Sequence, residues 1–464
     1  TSTAFNYIYA NSTYIYVYNG NTHTNVTRYT TTPGDNNYTA PARPNWNGGI
    51  FNSVPIMNNG VDYPQSWNDS IGRFQDLPNW PANTFADIIK PFKNQLVAYR
   101  VTQSGEKDYL RVKWSAVADP GAVPSTWVAA ASNRAGERNV GETGDFITDA
   151  LQLNNDINVI YKEENTYGMQ YIGGDSVFRI WRMFDQFGAL AEKCVVAFPK
   201  GHFVVAKNDV VGHNGQGWGS LVTKKVRTEL FTTMANDYYN KTFVLHNKAF
   251  NEIWLCYVTT GNTYANRALI WNYIDNTFTF RDLPDIAHGC LGVDVSSVTT
   301  KTFAQLTGTF DEWAGAFDER QYNPAVTNLI MASPSNVAFY KADSTNQFAG
   351  TNFLSSIERT GIALEKQDHK GNFVINLNSV KFVRGIYPKV VGDNGAILNF
   401  YIATQDSPQD SVEWQGPYPF IIGTDFFIDF EISTKLYGVR VEHNGNSKWA
   451  FSGYDVDLDI ISRY

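Results

Sequence analysis

The chain has 464 residues, enough for two or three ordinary domains, or for one large repeat domain and a second one beside it. A net charge of -8 and an isoelectric point near 5.4 argue against a sequence-reading nucleic-acid binder, which carries a basic face, but allow a surface past which DNA slides without sticking. Aromatic residues make up 15% of the chain and charged residues only 18%; with so much Asn, Thr and Gly, this balance suits an all-β protein with many turns.

In chain order, Phe5 to Tyr29 reads as strands: Phe5–Tyr9, Thr13–Tyr18 and a weaker run at Val26–Tyr29, with Asn19-Gly20-Asn21 as a turn. From Thr30 to Ala86 the composition shifts to Asn, Pro, Gly and Trp, with strand-like pieces only at Gly49–Met57 and Ile71–Phe74, as expected of an elaborated insertion. Gln95–Thr102 and Tyr109–Ser115 resume the strand pattern. Asp145 to Gly188 is the clearest unit, with apolar runs at Phe146–Leu153, Ile157–Tyr161, Thr166–Ile172 and Val177–Phe184 separated by Asn-, Asp- and Gly-rich turns. Four antiparallel strands in about 40 residues is the size of one β-propeller blade. A lone meander has a second face to cover, so this unit predicts further copies of itself.

Two copies follow. One comprises Lys193–Phe198, His202–Ala206, Asp209–Val211 and Trp218–Val222, with a short helix at Lys224–Met234. The other comprises Thr242–His246, Glu252–Val258, Arg267–Tyr273 and Phe278–Leu283. An internal echo links Phe74-Gln75-Asp76-Leu77-Pro78 with Phe280-Arg281-Asp282-Leu283-Pro284, at the place where an outer blade strand would close. His288 to Ala363 is less regular and reads as an insertion plus a closing blade. From about Glu365 the spacing tightens to eight strand candidates in about 100 residues, a β-sandwich pattern. The expected fold is therefore all-β: a six-bladed β-propeller over residues 1–364, with insertions at about 30–86 and 292–363, and a β-sandwich-like domain over 365–464.

No catalytic, cofactor or metal constellation emerges. Cys194, Cys256 and Cys290 are odd in number and widely spaced, and the first two lie in apolar runs as buried thiols do. His23, His202, His213, His246, His288, His369 and His443 are scattered without metal-ligand spacing; His202 and His246 read as structural residues at strand edges. Asp455, Asp457 and Asp459 share one face of a strand, where a solvated surface is favoured over a Ca²⁺ site. The loop Gly212–Gly219 lacks the Lys-Ser/Thr of a phosphate loop and reads as an inter-strand turn. Ser115–Asp119 with Thr126-Trp127 loosely matches the Asp-box turn of sialidases, but Arg179, Arg182 and Arg227 cannot be assigned to a sialidase arginine cluster. Glu163-Glu164 and Asp311-Glu312 read as solvated loop charges. Lys224, Lys225 and Arg227 read as a solvent-facing or inter-subunit surface. No signal peptide is expected from these residues, and they hold no run of about 18 apolar residues.

The order of several phrases resembles the tail nozzle, or tail hub, β-propeller proteins of short-tailed bacteriophages. The phrases are Arg111-Val112-Lys113-Trp114-Ser115 with Asp119-Pro120-Gly121 and Trp127; Gly144-Asp145 through Gly188; His202-Phe203-Val204-Val205; Lys225-Val226-Arg227; and Leu269-Ile270-Trp271 with Asp282-Leu283-Pro284. Val412-Glu413-Trp414, Leu436 to Arg440 and Trp449-Ala450-Phe451 continue the series. The resemblance implies a non-enzymatic virion protein, assembled in the host cytoplasm into a hexameric ring below the portal and adaptor. Tail fibres or spikes would be its other neighbours, and double-stranded DNA would pass through without sequence readout. The alternative from the residues alone is a carbohydrate-binding or glycan-cleaving propeller, since Trp and Tyr stack on sugars.

Overall fold

A computed structural model describes residues 6–19, 22–29, 36–41, 46–130, 132–141, 144–292, 327–347, 350–367, 373–377 and 379–463. The chain is all-β apart from a few short helical segments, and it divides into two compact units, Thr1–Lys341 and Ala342–Tyr464.

The described part of the first unit holds seven small antiparallel sheets, each built from strands consecutive in sequence. The first contains β1 (Tyr7–Ala10), β2 (Ile15–Tyr18) and β3 (His23–Asn25). The second contains β4 (Asn47–Phe51), β5 (Val54–Asn58), β6 (Gln65–Asn68) and β7 (Arg73–Asp76). The third contains β8 (Thr84–Phe92), β9 (Gln95–Gln103), β10 (Glu106–Trp114) and β11 (Gly136–Asn139). The fourth contains β12 (Ile147–Gln152), β13 (Ile157–Lys162), β14 (Thr166–Tyr171) and β15 (Phe178–Phe184). The fifth contains β16 (Val195–Phe198), β17 (Gly201–Val205), β18 (Val210–His213) and β19 (Trp218–Ser220). Helix α1 (Lys224–Thr233) follows, capped by the Thr223 hydroxyl and anchored by buried Leu230. The sixth sheet contains β20 (Phe243–Asn247), β21 (Glu252–Tyr257), β22 (Ala265–Asn272) and β23 (Thr277–Ile286). The seventh contains β24 (His288–Gly292), β25 (Asn328–Ser333) and β26 (Ala338–Lys341).

Seven sheets stand where the sequence suggests six units. The difference lies in residues 30–86, expected as an irregular insertion. Their Pro and Asn hide a regular four-stranded sheet of strands only four or five residues long, with Asn52 and Ser53 at positive φ as the tight turn between β4 and β5. The echoed phrase lies in β7 and β23, each the fourth strand of its sheet. Residues 293–326, including Asp311-Glu312, and His369 lie outside the described residues.

The core lies between sheets, because inner strands β9, β13, β17 and β21 of the third to sixth sheets are buried on both faces. In β13, Ile160 packs with Ile88, Tyr99 and Val112 of the third sheet, whereas Val159 and Tyr161 pack with Val195, Val204 and Val211 of the fifth. In β9, Leu96 and Ala98 face the second sheet and Val97 and Tyr99 the fourth. This two-sided burial is why the strands read as near-continuous apolar runs. Polar contacts run the same way: Phe74 N–H donates to Val26 O at 3.1 Å, Asn47 Nδ2 to Asp87 O at 2.7 Å, Asn158 Nδ2 to Tyr99 Oη at 2.6 Å, and Val244 N–H to Lys193 O at 2.9 Å. Phe243 packs on His288 with ring centroids 4.9 Å apart, and Tyr9 of the first sheet packs edge-on against Phe339 of the seventh at 5.1 Å. Each sheet touches the next, and the seventh touches the first.

One joint has no spare room. A Cβ on Gly188, in the connection from β15 to β16, would lie 1.9 Å from the Lys162 carbonyl oxygen, which already accepts from Ala189 N–H at 2.9 Å. Gly188→Ala is expected to cost about 3 kcal/mol through overpacking. Gly217→Ala, at an open position, is the control, and urea unfolding of both variants is the measurement.

The second unit begins earlier than the spacing suggests. β27 (Leu354–Ile362) pairs with β34 (Leu436–Asn444), so these residues belong with the C-terminal strands and the units divide at 341/342, not at 364/365. One sheet runs β27-β34-β31-β32, with β31 at Ile397–Gln405 and β32 at Glu413–Ile421. The other runs β33-β30-β35, with β30 at Ser379–Gly392, β33 at Ile428–Thr434 and β35 at Trp449–Arg463. A hairpin, β28 (Leu364–Gln367) and β29 (Phe373–Asn376), stands apart. The two sheets share one core, including Ile386, Leu398, Phe400, Phe430 and Val441. The alternation of Ile428, Phe430 and Ile432 against Asp429 and Glu431 points the apolar residues into it.

Candidate functional site

A cluster of buried charged groups among the described residues lies where the third, fourth, fifth and seventh sheets meet. Two of its members are charges set within strands that are mostly apolar. Lys90 follows Ile88-Ile89 and precedes Pro91-Phe92 in β8, and Asp149 stands between Ile147-Thr148 and Ala150-Leu151 in β12. Lys90 Nζ forms an ion pair with the Asp149 carboxylate, which is almost fully buried, and donates to Ala150 O at 2.6 Å. Asp149 Oδ2 accepts from Lys193 N–H at 2.9 Å. One carboxylate therefore ties three consecutive sheets.

Glu192 and Lys193, just before β16, keep some contact with water in the midst of dense protein. Burial raises the Glu192 carboxyl to about 7; the Lys193 charge pulls it back and Asp149 pushes it further up. Burial lowers the Lys193 ammonium, against the attraction of Glu192 and Asp149. His288 is held well below its ordinary value by burial and then by Lys193.

Next to it lies a second buried group, Tyr161 between His202 and His213. His202 Nε2 is 3.0 Å from Gln152 O and so carries its proton, and His202 Nδ1 accepts from the Tyr161 hydroxyl at 2.7 Å. The Tyr161 oxygen then accepts from His213 Nε2–H at 2.6 Å, leaving His213 Nδ1 a buried acceptor with no hydrogen-bond partner among the described residues. Burial is the main cause that drops His202 to about 4 and His213 to about 3; Lys90 lowers the first further and His202 the second. The histidines that are scattered in sequence are thus partly brought together. His202 is no strand-edge residue: it is fully buried inside β17.

The other candidates separate. Asp455 pairs with Lys389 at 2.8 Å and Asp459 with Arg384, so the acidic strand face is countered by the neighbouring strand β30. Gly212–Gly219 spans the β18–β19 turn, where Asn214 Oδ1 accepts from Gln216 and Gly217 N–H. Arg179 lies over Trp181, Arg182 pairs with Asp185, and Arg227 pairs with Asp209 at 3.0 Å, each engaged locally. Lys207 pairs with Glu164 at the surface. Cys194 and Cys256 are buried and Cys290 is exposed, all as free thiols. Among the described residues no three His, Cys, Asp or Glu side chains group as a metal site, and no helix is long and apolar enough to cross a membrane. Sequence reading missed Lys90, Asp149, Tyr161, Glu192 and Lys193; a charge inside an apolar strand was the one available signal, and it marks only the first two.

No protein-family model matches the chain, and no curated protein matches it.

Proposed function

We propose that this chain is a non-enzymatic structural protein of a short-tailed phage tail, a β-propeller with an appended two-sheet domain, of which six copies build a ring that conducts and gates DNA. The observation that carries the reading is the succession of seven meander sheets among the described residues, each in contact with the next, with Tyr9 and His23 of the first against Phe339 of the seventh. On this reading there are seven blades. The phrase order described above supplies the family. The buried polar groups fit a wall better than a reaction centre: Asp149 and Tyr161 spend their hydrogen bonds joining sheets. Exposed apolar side chains on each unit, such as Phe250 and Ile274 on the first and Val391 and Phe426 on the second, supply surface for contacts between copies. An acidic wall would not trap the phosphate backbone.

Native mass measurement of the purified chain, with electron microscopy and peptide mapping of particles, tests this. A six-fold assembly found in virions is expected. A protein that stays monomeric at micromolar concentration and is absent from particles overturns it.

A further inference from the structure

In the third sheet the ladder between β9 and β10 breaks in an unusual way. Asp108 pairs with Val101 and Val112 with Tyr99, so Tyr109, Leu110 and Arg111 together face the single residue Arg100. Arg100 has φ of +55°, a left-handed conformation uncommon for a side chain of its size. Its effect is visible in the packing: Val101 faces the second sheet with Leu96 and Ala98, where plain alternation would set it beside Val97 and Tyr99. Bulges of this kind re-aim side chains and gather near binding sites, and strained backbone persists where its surroundings over-determine it.

The bulge forms the floor of an open cleft of about 630 Å³, within the size range of small-ligand sites. Tyr109 and Phe146, 36% and 40% exposed, stack on one another in it with ring centroids 4.3 Å apart and 32° between their planes. The Arg100 guanidinium lies 5.5 Å from the Tyr109 ring centre and Lys107 Nζ 5.2 Å; both cations are also tied to Asp87, at 2.7 and 2.8 Å. Beside the rings, Asp108 accepts from Leu110 N–H at 3.0 Å and from Asn139 Nδ2 at 2.9 Å. Arg111 reaches Asp108 at 3.3 Å and Gln103 Oε1 at 3.1 Å. The polar side chains are thus held in place before any ligand arrives, which lowers the ordering cost of binding.

We propose that this cleft is a saccharide-binding site, in which the apolar face of a sugar ring packs on Tyr109 and Phe146 and its hydroxyls bond to Asp108, Arg111 and Gln103. The charge balance selects a neutral ligand. Glu106 and Asp108 offset Lys107 and Arg111 in the lining, and Asp87 offsets Arg100 beneath it, so neither an anion nor a cation meets an uncompensated partner. The paired donors and acceptors suit the vicinal hydroxyls of a sugar, and the exposed surface of the stacked aromatic pair suits its C–H groups. The inference is independent of ring assembly, since every residue in it belongs to one sheet or to the segment just after it.

The test uses the full chain and a panel of neutral oligosaccharides built from glucose, galactose, mannose and rhamnose, with a sulfated oligosaccharide as the anionic probe. Saturation-transfer NMR and calorimetry on the wild type are expected to show one binding neutral sugar or more. Tyr109→Ala should weaken that binding at least tenfold, and Phe146→Ala, outside the bulge, should do the same if the first variant folds poorly. Unchanged melting temperatures in at least one of the two separate lost binding from lost structure. The proposal is overturned if no neutral sugar binds, if both well-folded variants bind as the wild type does, or if only the sulfated probe binds and salt abolishes it. Each of these outcomes is separate from the mass and particle measurements that decide the assembly.

Discussion

Replacing Asp149 with Ala is expected to lower the unfolding free energy by about 3–5 kcal/mol, the usual cost of removing one partner of a buried ion pair. The carboxylate is nearly inaccessible, while Lys90 is 22% exposed, so the stranded ammonium recovers only part of its hydration. The Lys193 N–H loses its acceptor at the same time. Urea unfolding followed by tryptophan fluorescence measures the loss. The double variant Lys90→Met, Asp149→Leu should regain much of it, because no unpaired charge remains and the site is lined by apolar strands. A single variant within 1 kcal/mol of the parent would show that the carboxylate does not clamp the three sheets.

The second large effect is an acid transition set by His202 and His213. Both rings are neutral in the folded chain, with values near 4 and 3, whereas in the unfolded chain they titrate near the ordinary 6.5. Below pH 6.5 the unfolded state therefore binds more protons than the folded one. The stability they contribute is complete above that pH and drains away as pH falls toward 4 and then 3. His202 alone accounts for a loss on the order of 3 kcal/mol across that window. Protonation also breaks the geometry, since His202 Nδ1 must accept from Tyr161 to complete the chain of bonds. Unfolding midpoints from pH 7 to pH 4 should fall steeply for the parent and less steeply for the His202→Gln, His213→Gln chain. Equal slopes would sink the assignment.

The two groups differ in how visible they were beforehand. Lys90 and Asp149 each interrupt an apolar run, which is a legible oddity, but nothing in their spacing of 59 residues says that they meet. Tyr161 looks like any strand aromatic. His202 and His213 look unrelated until β17 and β18 pair and set them opposite one another. The three-residue bulge over Arg100 leaves no trace in composition, because the strand pattern on both sides of it is intact. Residues 47–76 showed strand-like pieces at Gly49–Met57 and Ile71–Phe74, where β4, β5 and β7 lie, but not the sheet they form, and for a different reason. Strands of four or five residues are too short for alternation to stand out, and Pro55 and Pro64 look like breakers although Pro55 lies in β5 without ending it.

The sequence by itself determined the all-β class, the strands from Gln95 to Ile286 with few omissions, the helix after the fifth sheet, and the alternating C-terminal strands. These are local matters, decided by β-branched and aromatic runs, turn residues and the period of burial. Packing settled that seven sheets follow one another in the described part of the first unit, that β27 joins the second, and that a carboxylate, a lysine and two histidines share buried ground. Those outcomes depend on which faces meet, and a face is chosen by the partner that covers it, not by the residues that compose it.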